Sequence, residues 1–236
     1  MKAYVLHGVN DLHFEETPKP QIKDDEVLVK VMAAGICGSD IPRIYRNGAH
    51  VHPLIPGHEF SGQVVQAGAM ADKKWNGRRV GIFPLIPCRE CMPCQKGQFE
   101  MCRHYNYLGS RCNGGFAEYA AVPQDNLIEL PDSVAFEEGA MLEPMAVAVH
   151  AMRRIELNQS DTVVVCGLGT IGLLLTMFLI ERGISNILVI GNKEFQRKQA
   201  AALGIPDEHY CDSSNTDAGE WIMQHTNGDG AGVFFE

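Results

Sequence analysis

What this chain of 236 residues has little of already narrows its class. Positive charge is in deficit: 20 Lys+Arg stand against 29 Asp+Glu, a formal net charge of −9 at pH 7. An acidic chain is a poor general binder of phosphate backbones, so no nucleic-acid partner is expected. The N-terminal stretch MKAYVLHGVNDLHFEE lacks the basic-then-apolar pattern of a secretory signal, and a cytoplasmic location is expected. There is no internal repeat and no low-complexity tract. Hydrophobic residues make up 45% and charged residues 21%, which fits a soluble globular protein and excludes a disordered tail, a collagen-like repeat or a coiled coil. At roughly 100–200 residues per domain, the length suits one large domain or two small ones.

Proline is scarce in the last third. Eleven of the twelve prolines lie at or before Pro144, and only Pro206 lies beyond. We therefore expect a domain over residues 1–150 and a second over 151–236. Long uncharged runs are also scarce, with one exception, Thr162 to Ile180, which is long enough to raise the question of a membrane span. Its character changes midway. Val163-Val164-Val165 is β-branched, Gly167, Gly169 and Gly172 punctuate it, and Leu173 to Ile180 reads as a buried helix. Strand, glycine turn and helix explain these residues better than one spanning helix, so no membrane is expected.

Before the boundary, short strands are expected at Glu26–Val31, Phe60–Val65, Arg79–Phe83 and Phe116–Val122, a spacing that suits a barrel-like all-β domain. Glu137 to Arg154 reads as helical, interrupted by Pro144. After it, strands at Thr162–Cys166, Asn186–Ile190 and His209–Cys211 alternate with helices at Thr170–Arg182, Glu194–Leu203 and Asp217–Thr226. That alternation implies a parallel sheet. Val233-Phe234-Phe235 is a further apolar strand, and the sheet's remaining strands are expected beyond Glu236.

There are eight cysteines. In an intracellular chain of this size a cysteine cluster points to metal or redox chemistry rather than a disulfide framework. Cys88-x2-Cys91-x2-Cys94-x7-Cys102 is the sharpest signal. Four thiolates on one loop can surround a zinc ion tetrahedrally and leave no open position, so the role is structural. An iron–sulfur run would place its fourth cysteine after three residues and before a proline; here the gap is seven and Arg103 follows. A redox Cys-x-x-Cys usually stands alone. Cys37, His58, Glu59 and Glu143 form a second candidate set: thiolate, imidazole and carboxylate with one vacant corner suit catalytic zinc. Singly, each has an ordinary reading as a core or hydrogen-bonding residue.

Gly167-Leu168-Gly169-Thr170-Ile171-Gly172 matches G-x-G-x-x-G between a β-branched strand and an apolar helix. That context marks a dinucleotide turn, with the pyrophosphate at the helix N-terminus. The first glycine allows the turn, the second lets backbone approach the pyrophosphate, and the third allows close helix–strand packing. The acid expected at the end of the second strand is absent. Gly191 stands there, followed by Asn192 and Lys193, with Arg197 one turn on. This leaves room for a 2′-phosphate and leans slightly to NADP(H) over NAD(H), although a solvated helix face explains Lys193 and Arg197 about as well.

Together these segments, with Gly35-Ile36-Cys37-Gly38-Ser39-Asp40, Gly57-His58-Glu59, Gly114-Gly115-Phe116-Ala117-Glu118-Tyr119 and Glu143-Pro144, give the chain its resemblance to a known family. It resembles the zinc-dependent medium-chain alcohol and polyol dehydrogenases over its whole length. Within them, the run from Ser39 to His50 is most similar to that of a member acting on a polyol phosphate. The resemblance implies a fold of α/β plus β class: a GroES-like β-barrel catalytic domain followed by a truncated doubly wound Rossmann domain, with the active site in the cleft between them. It implies two zinc ions per chain. The catalytic ion falls to Cys37, His58 and Glu143 with Glu59 adjacent, and the structural ion to Cys88, Cys91, Cys94 and Cys102. It further implies NAD(H) or NADP(H) at Gly167, Gly169, Thr170, Ile171 and Gly172, with Asn192, Lys193 and Arg197 nearby, and a homo-oligomer, dimer or tetramer. Many relatives carry a proton-relay His where this chain has Pro42, so Ser39 and water are the expected substitutes.

The expected activity is hydride transfer between a secondary alcohol of a polyol or polyol phosphate and NAD(P). Arg43, Arg46 and His50 are candidates for a substrate phosphate, against the plainer reading of a solvated loop. The alternatives are a non-catalytic zinc- and nucleotide-binding fragment, a dehydrogenase of another alcohol such as threonine or butanediol, and a zinc-free quinone reductase of the same fold.

Overall fold

The computed structural model describes all 236 residues. The chain divides into two compact units, Met1–Glu143 and Pro144–Glu236. In the first, a five-stranded antiparallel sheet runs in the order Tyr119–Pro123, Glu26–Gly35, Glu59–Ala67, Arg79–Ile82 and Leu127–Glu129. Its strands alternate, and their inward residues Val27, Val29, Phe60, Val64, Val80, Ile82, Ala120 and Val122 make the core with Leu108. Two hairpin-like pairs, Lys2–Gly8 with Asp11–Glu16 and Leu85–Ile86 with Asn106–Tyr107, complete the β-structure. None of these four segments is among the strands expected from the sequence.

The register of the two central strands positions the chemistry. Gly35, the last residue of its strand, pairs with Glu59, the first of the next. The chain leaving at Gly35 therefore passes the chain arriving at Gly57-His58, and Cys37 is delivered beside them.

In the second unit a four-stranded parallel sheet has the order Tyr210–Asp212, Asn186–Gly191, Thr162–Cys166 and Val233–Phe235. In chain order that is 3-2-1-4, the doubly wound arrangement, and the order reverses beside Thr162–Cys166. Val163, Val164 and Val165 are buried, as a strand covered on both faces requires. This accounts for the uncharged run. The helix that follows covers only Thr170–Glu181, and no helix is long and apolar enough to cross a membrane.

One expectation is corrected. Pro144 does not interrupt a helix. The break comes before it, between helices Phe136–Ala140 and Leu142–Arg153. Pro144 lies in the first turn of the second, where its missing N–H has no intrahelical partner to lose.

Candidate metal centres and nucleotide turn

The cysteine loop closes on itself. The sulfurs of Cys88 and Cys94 are 3.9 Å apart, those of Cys91 and Cys94 3.5 Å, and those of Cys91 and Cys102 4.0 Å. All eight cysteines are free thiols. Four sulfurs bound tetrahedrally to zinc at about 2.3 Å stand about 3.8 Å from one another, so the quartet fits that ion. Arg89 turns the loop with a left-handed backbone (φ 61°). The backbone N–H of Cys88 donates to the Cys102 sulfur at 3.2 Å. That of Arg103 favours the thiolate of Cys91 and lowers its pKa.

The second cluster brings together a ligand atom each from Cys37, His58 and Glu59, all within 4.8 Å of one another. His58 and Glu59 are buried and Cys37 half-buried. Glycine makes this possible at two places. A Cβ on Gly35 would stand 2.5 Å from Glu59 Oε2, and one on Gly57 (φ 91°) would run into the Phe116 ring. Burial works against a charge on His58, but Asp40 and Cys37 outweigh it and push its pKa up to about 10. Burial raises the pKa of Glu59 as well. A pocket that draws a proton this strongly onto imidazole has an excess of buried negative charge, which a divalent cation would neutralise. The donor set of thiolate, imidazole and carboxylate suits zinc.

Glu143 does not join this group. Its Oε1 accepts from the Tyr107 hydroxyl at 3.2 Å. The Tyr107 ring stands edge-on to His58, with centroids 5.8 Å apart. Burial first, and then the charge of Glu143, raise the pKa of Tyr107, so it remains a donor. Ser39 lines a cavity of about 230 Å³ with Arg43, His58, Tyr105, Tyr107 and Ser110. A neighbouring cavity of about 340 Å³ shares Ser39, Arg43 and Ser110 and reaches Pro42, Asn47 and His50. Arg43 spends one nitrogen on Asp40 at 2.5 Å, and Arg46 lines neither cavity.

Two residues here escaped the reading of the sequence. Asp40 was legible only as part of a motif, yet it is wholly buried and accepts the Cys37 N–H at 3.1 Å. Tyr107 lies far along the chain from both His58 and Glu143, and no spacing points to it.

In the second unit, Gly167 (φ 89°) begins the turn, and a Cβ on Gly172 would collide with the Gly167 carbonyl. Gly169, Thr170 and Ile171 complete the turn and open the helix. Asn192 and Lys193 are exposed at the end of the second strand. The space beside Gly191 is already filled: a Cβ there would meet the Tyr210 hydroxyl at 2.5 Å and Gln196 Oε1 at 2.9 Å. Arg197 is engaged by Asp207, with Nε donating to Oδ1 at 2.6 Å. Packing thus explains Gly191 without a 2′-phosphate, and of the basic pair only Lys193 is unengaged by a carboxylate. Gln196, also missed, ties the turn to the strand end by accepting from Asn192 N–H and donating to the Leu168 carbonyl, each at 3.0 Å.

Residues 23–132 match the alcohol dehydrogenase GroES-like domain. Sorbitol dehydrogenase of Bacillus subtilis strain 168 is 34% identical over 242 aligned positions, covering 100% of this chain and 68% of the relative. The chain belongs to the zinc-dependent medium-chain alcohol and polyol dehydrogenase family. Within this medium-chain family, galactitol 1-phosphate 5-dehydrogenase of Escherichia coli K12 is 40% identical over 191 residues, 80% of this chain. The chain spans 55% of that relative's length. The crystal structure of galactitol-1-phosphate dehydrogenase from Escherichia coli superposes with a TM-score of 0.87 at 36% identity, covering 96% of this chain and 64% of that one.

Proposed function

We propose that this protein is a zinc-dependent oxidoreductase that transfers hydride between a secondary alcohol of a polyol, free or phosphorylated, and NAD(H) or NADP(H). The observation that carries the reading is the meeting of Cys37, His58 and Glu59 around one point beside a cavity walled by hydroxyl groups. Similarity to sorbitol and galactitol 1-phosphate dehydrogenases supports the substrate class.

In this reading Cys37, His58 and a carboxylate from Glu59 or Glu143 hold the catalytic ion, and Cys88, Cys91, Cys94 and Cys102 hold the structural one. Zinc at the first site would supply Lewis acidity to an alcohol or carbonyl oxygen, and the nicotinamide would supply the hydride chemistry. The protein's part is to bind, orient and move a proton. Ser39 is exposed and makes no hydrogen bond through its side chain at the head of its helix. In this reading its hydroxyl takes the substrate proton and hands it to water. Pro42 has no proton to offer. Tyr105 and Ser110 line the same wall, and hydroxyl-lined walls suit a polyhydroxy substrate better than an apolar alcohol. The turn at Gly167–Gly172 offers its backbone and helix N-terminus to the cofactor pyrophosphate. A cytoplasmic homo-oligomer, dimer or tetramer, belongs to the same reading.

The test is metal content with nicotinamide reduction on polyols and their phosphates. Cys37→Ala and His58→Ala should each remove one zinc equivalent, keep the other and abolish turnover. Near-normal turnover in either variant sinks the proposal. Binding of zinc and nucleotide with no turnover on any polyol would leave a binding module instead.

A further inference from the structure

Two carboxylates compete for one place. Cys37 and His58 need a single carboxylate to complete a three-residue site, and the chain brings both Glu59 and Glu143 to the neighbourhood. Each is held by something other than a metal. Glu59 is seated by the strand register that pairs it with Gly35, where only glycine leaves room for its Oε2. Glu143 is held by one contact, the hydroxyl of Tyr107 at 3.2 Å. Tyr107 is itself well anchored. Its backbone pairs with Leu85, its carbonyl accepts N–H groups from Ser110, Arg111 and Cys112, and its ring packs against His58. A phenylalanine ring would pack the same way, so the hydroxyl is there for Glu143.

We propose that Tyr107 is a positioning residue that decides which glutamate completes the Cys37–His58 site, holding Glu143 aside so that Glu59 closes the ligand set. This rests on the assignment of a metal to Cys37 and His58. With the Tyr107 hydroxyl removed, Glu143 is free to enter as an additional or replacement ligand, and the coordination of the ion changes while the fold does not. The rest of the ligand set is untouched by that substitution, so the effect has one origin.

The experiment is cobalt(II) substitution of the intact protein, read as the visible absorption difference against Cys37→Ala. That variant keeps the loaded cysteine loop and so cancels its spectrum. Tyr107→Phe should weaken the bands towards higher coordination number. Because a carboxylate ligand is gained, it should also tighten metal retention against a chelator by about tenfold, opposite in sign to the loss that removing an outer-shell partner usually brings. Adding Glu143→Gln to Tyr107→Phe should restore the parent spectrum and affinity. Glu143→Gln alone should change neither. A Tyr107→Phe spectrum and affinity equal to the parent's overturns the proposal, as does loss of the signal in Glu143→Gln alone. A cobalt spectrum indifferent to Cys37→Ala overturns the metal assignment, and the proposal with it. Circular dichroism and retention of the cysteine-loop metal report whether each variant is folded.

Discussion

Asp40 Oδ1 stands 3.6 Å from His58 Nδ1, with side chains only 0% and 5% exposed. The separation is long for a hydrogen bond but short for a charge contact. The same carboxylate accepts the Cys37 N–H at 3.1 Å and an Arg43 N–H at 2.5 Å. One buried anion thus holds the backbone of one candidate ligand and draws positive charge onto the ring of another. Arg43 balances the charge, which is why this arginine is turned inward.

Asp40→Asn keeps the shape and removes the charge. Metal affinity at the Cys37–His58 site should fall about 10- to 100-fold, while the cysteine loop keeps its ion. Competition with a graded series of chelators measures this. An unchanged affinity would mean that Asp40 only shapes the loop.

Gly35→Ala tests the strand register. A methyl group there meets Glu59 Oε2 at 2.5 Å and Glu59 Cβ at 3.3 Å. The carboxylate must move, and overpacking of this kind costs about 1–3 kcal/mol. We expect a lower urea midpoint and the loss of one zinc equivalent. Full zinc content in a protein as stable as the parent would show that Glu59 can shift without consequence.

The pH dependence of the metal-free protein follows from His58. Its pKa rises from the ordinary value of 6.5 to about 10 on folding. A raised pKa means that the folded state holds the proton more tightly. This contribution to stability is complete below about pH 6.5 and is lost as pH climbs through about 10. Urea midpoints of the chelator-treated protein should fall over that window, and His58→Asn should flatten the decline relative to the parent. An identical decline in both proteins would assign it to other groups.

These sites differ in how far they could be read from the sequence, and locality explains the difference. The cysteine loop and the glycine turn each lie within a short stretch, so spacing alone carries their geometry. Thr162–Cys166 and Thr170–Glu181 were legible because a buried parallel strand and a buried helix leave no room for charge. The different settings of Glu59 and Glu143 were not legible, because the Tyr107 hydroxyl that engages Glu143 comes from a distant part of the chain. The surroundings of the 2′ site are non-local in the same way: Tyr210 and Gln196, which crowd Gly191, come from later elements.

Cofactor preference is open to a direct measurement. Because Asp207 engages Arg197, Arg197→Ala should leave the ratio of kcat/KM for NADP to that for NAD unchanged. Lys193→Ala should lower the ratio if a 2′-phosphate is bound at all. A large fall in the Arg197 variant would mean that the pair opens to take the phosphate.

The glycine turn separates packing from binding. A Cβ added at Gly169 would meet nothing within 4 Å, and the residue's φ of −80° is one that any amino acid adopts. Gly172 has the Gly167 carbonyl in the way. Gly169→Ala should therefore fold with the parent's stability yet bind nucleotide more weakly, because its methyl group occupies the approach of the pyrophosphate. Gly172→Ala should lose about 1–3 kcal/mol of stability as well as affinity, since the helix must lift from the strand to admit it. Thermal unfolding with nucleotide titration distinguishes the two. Equal affinity in Gly169→Ala and the parent would remove the pyrophosphate from this turn and leave the glycines a purely structural reason.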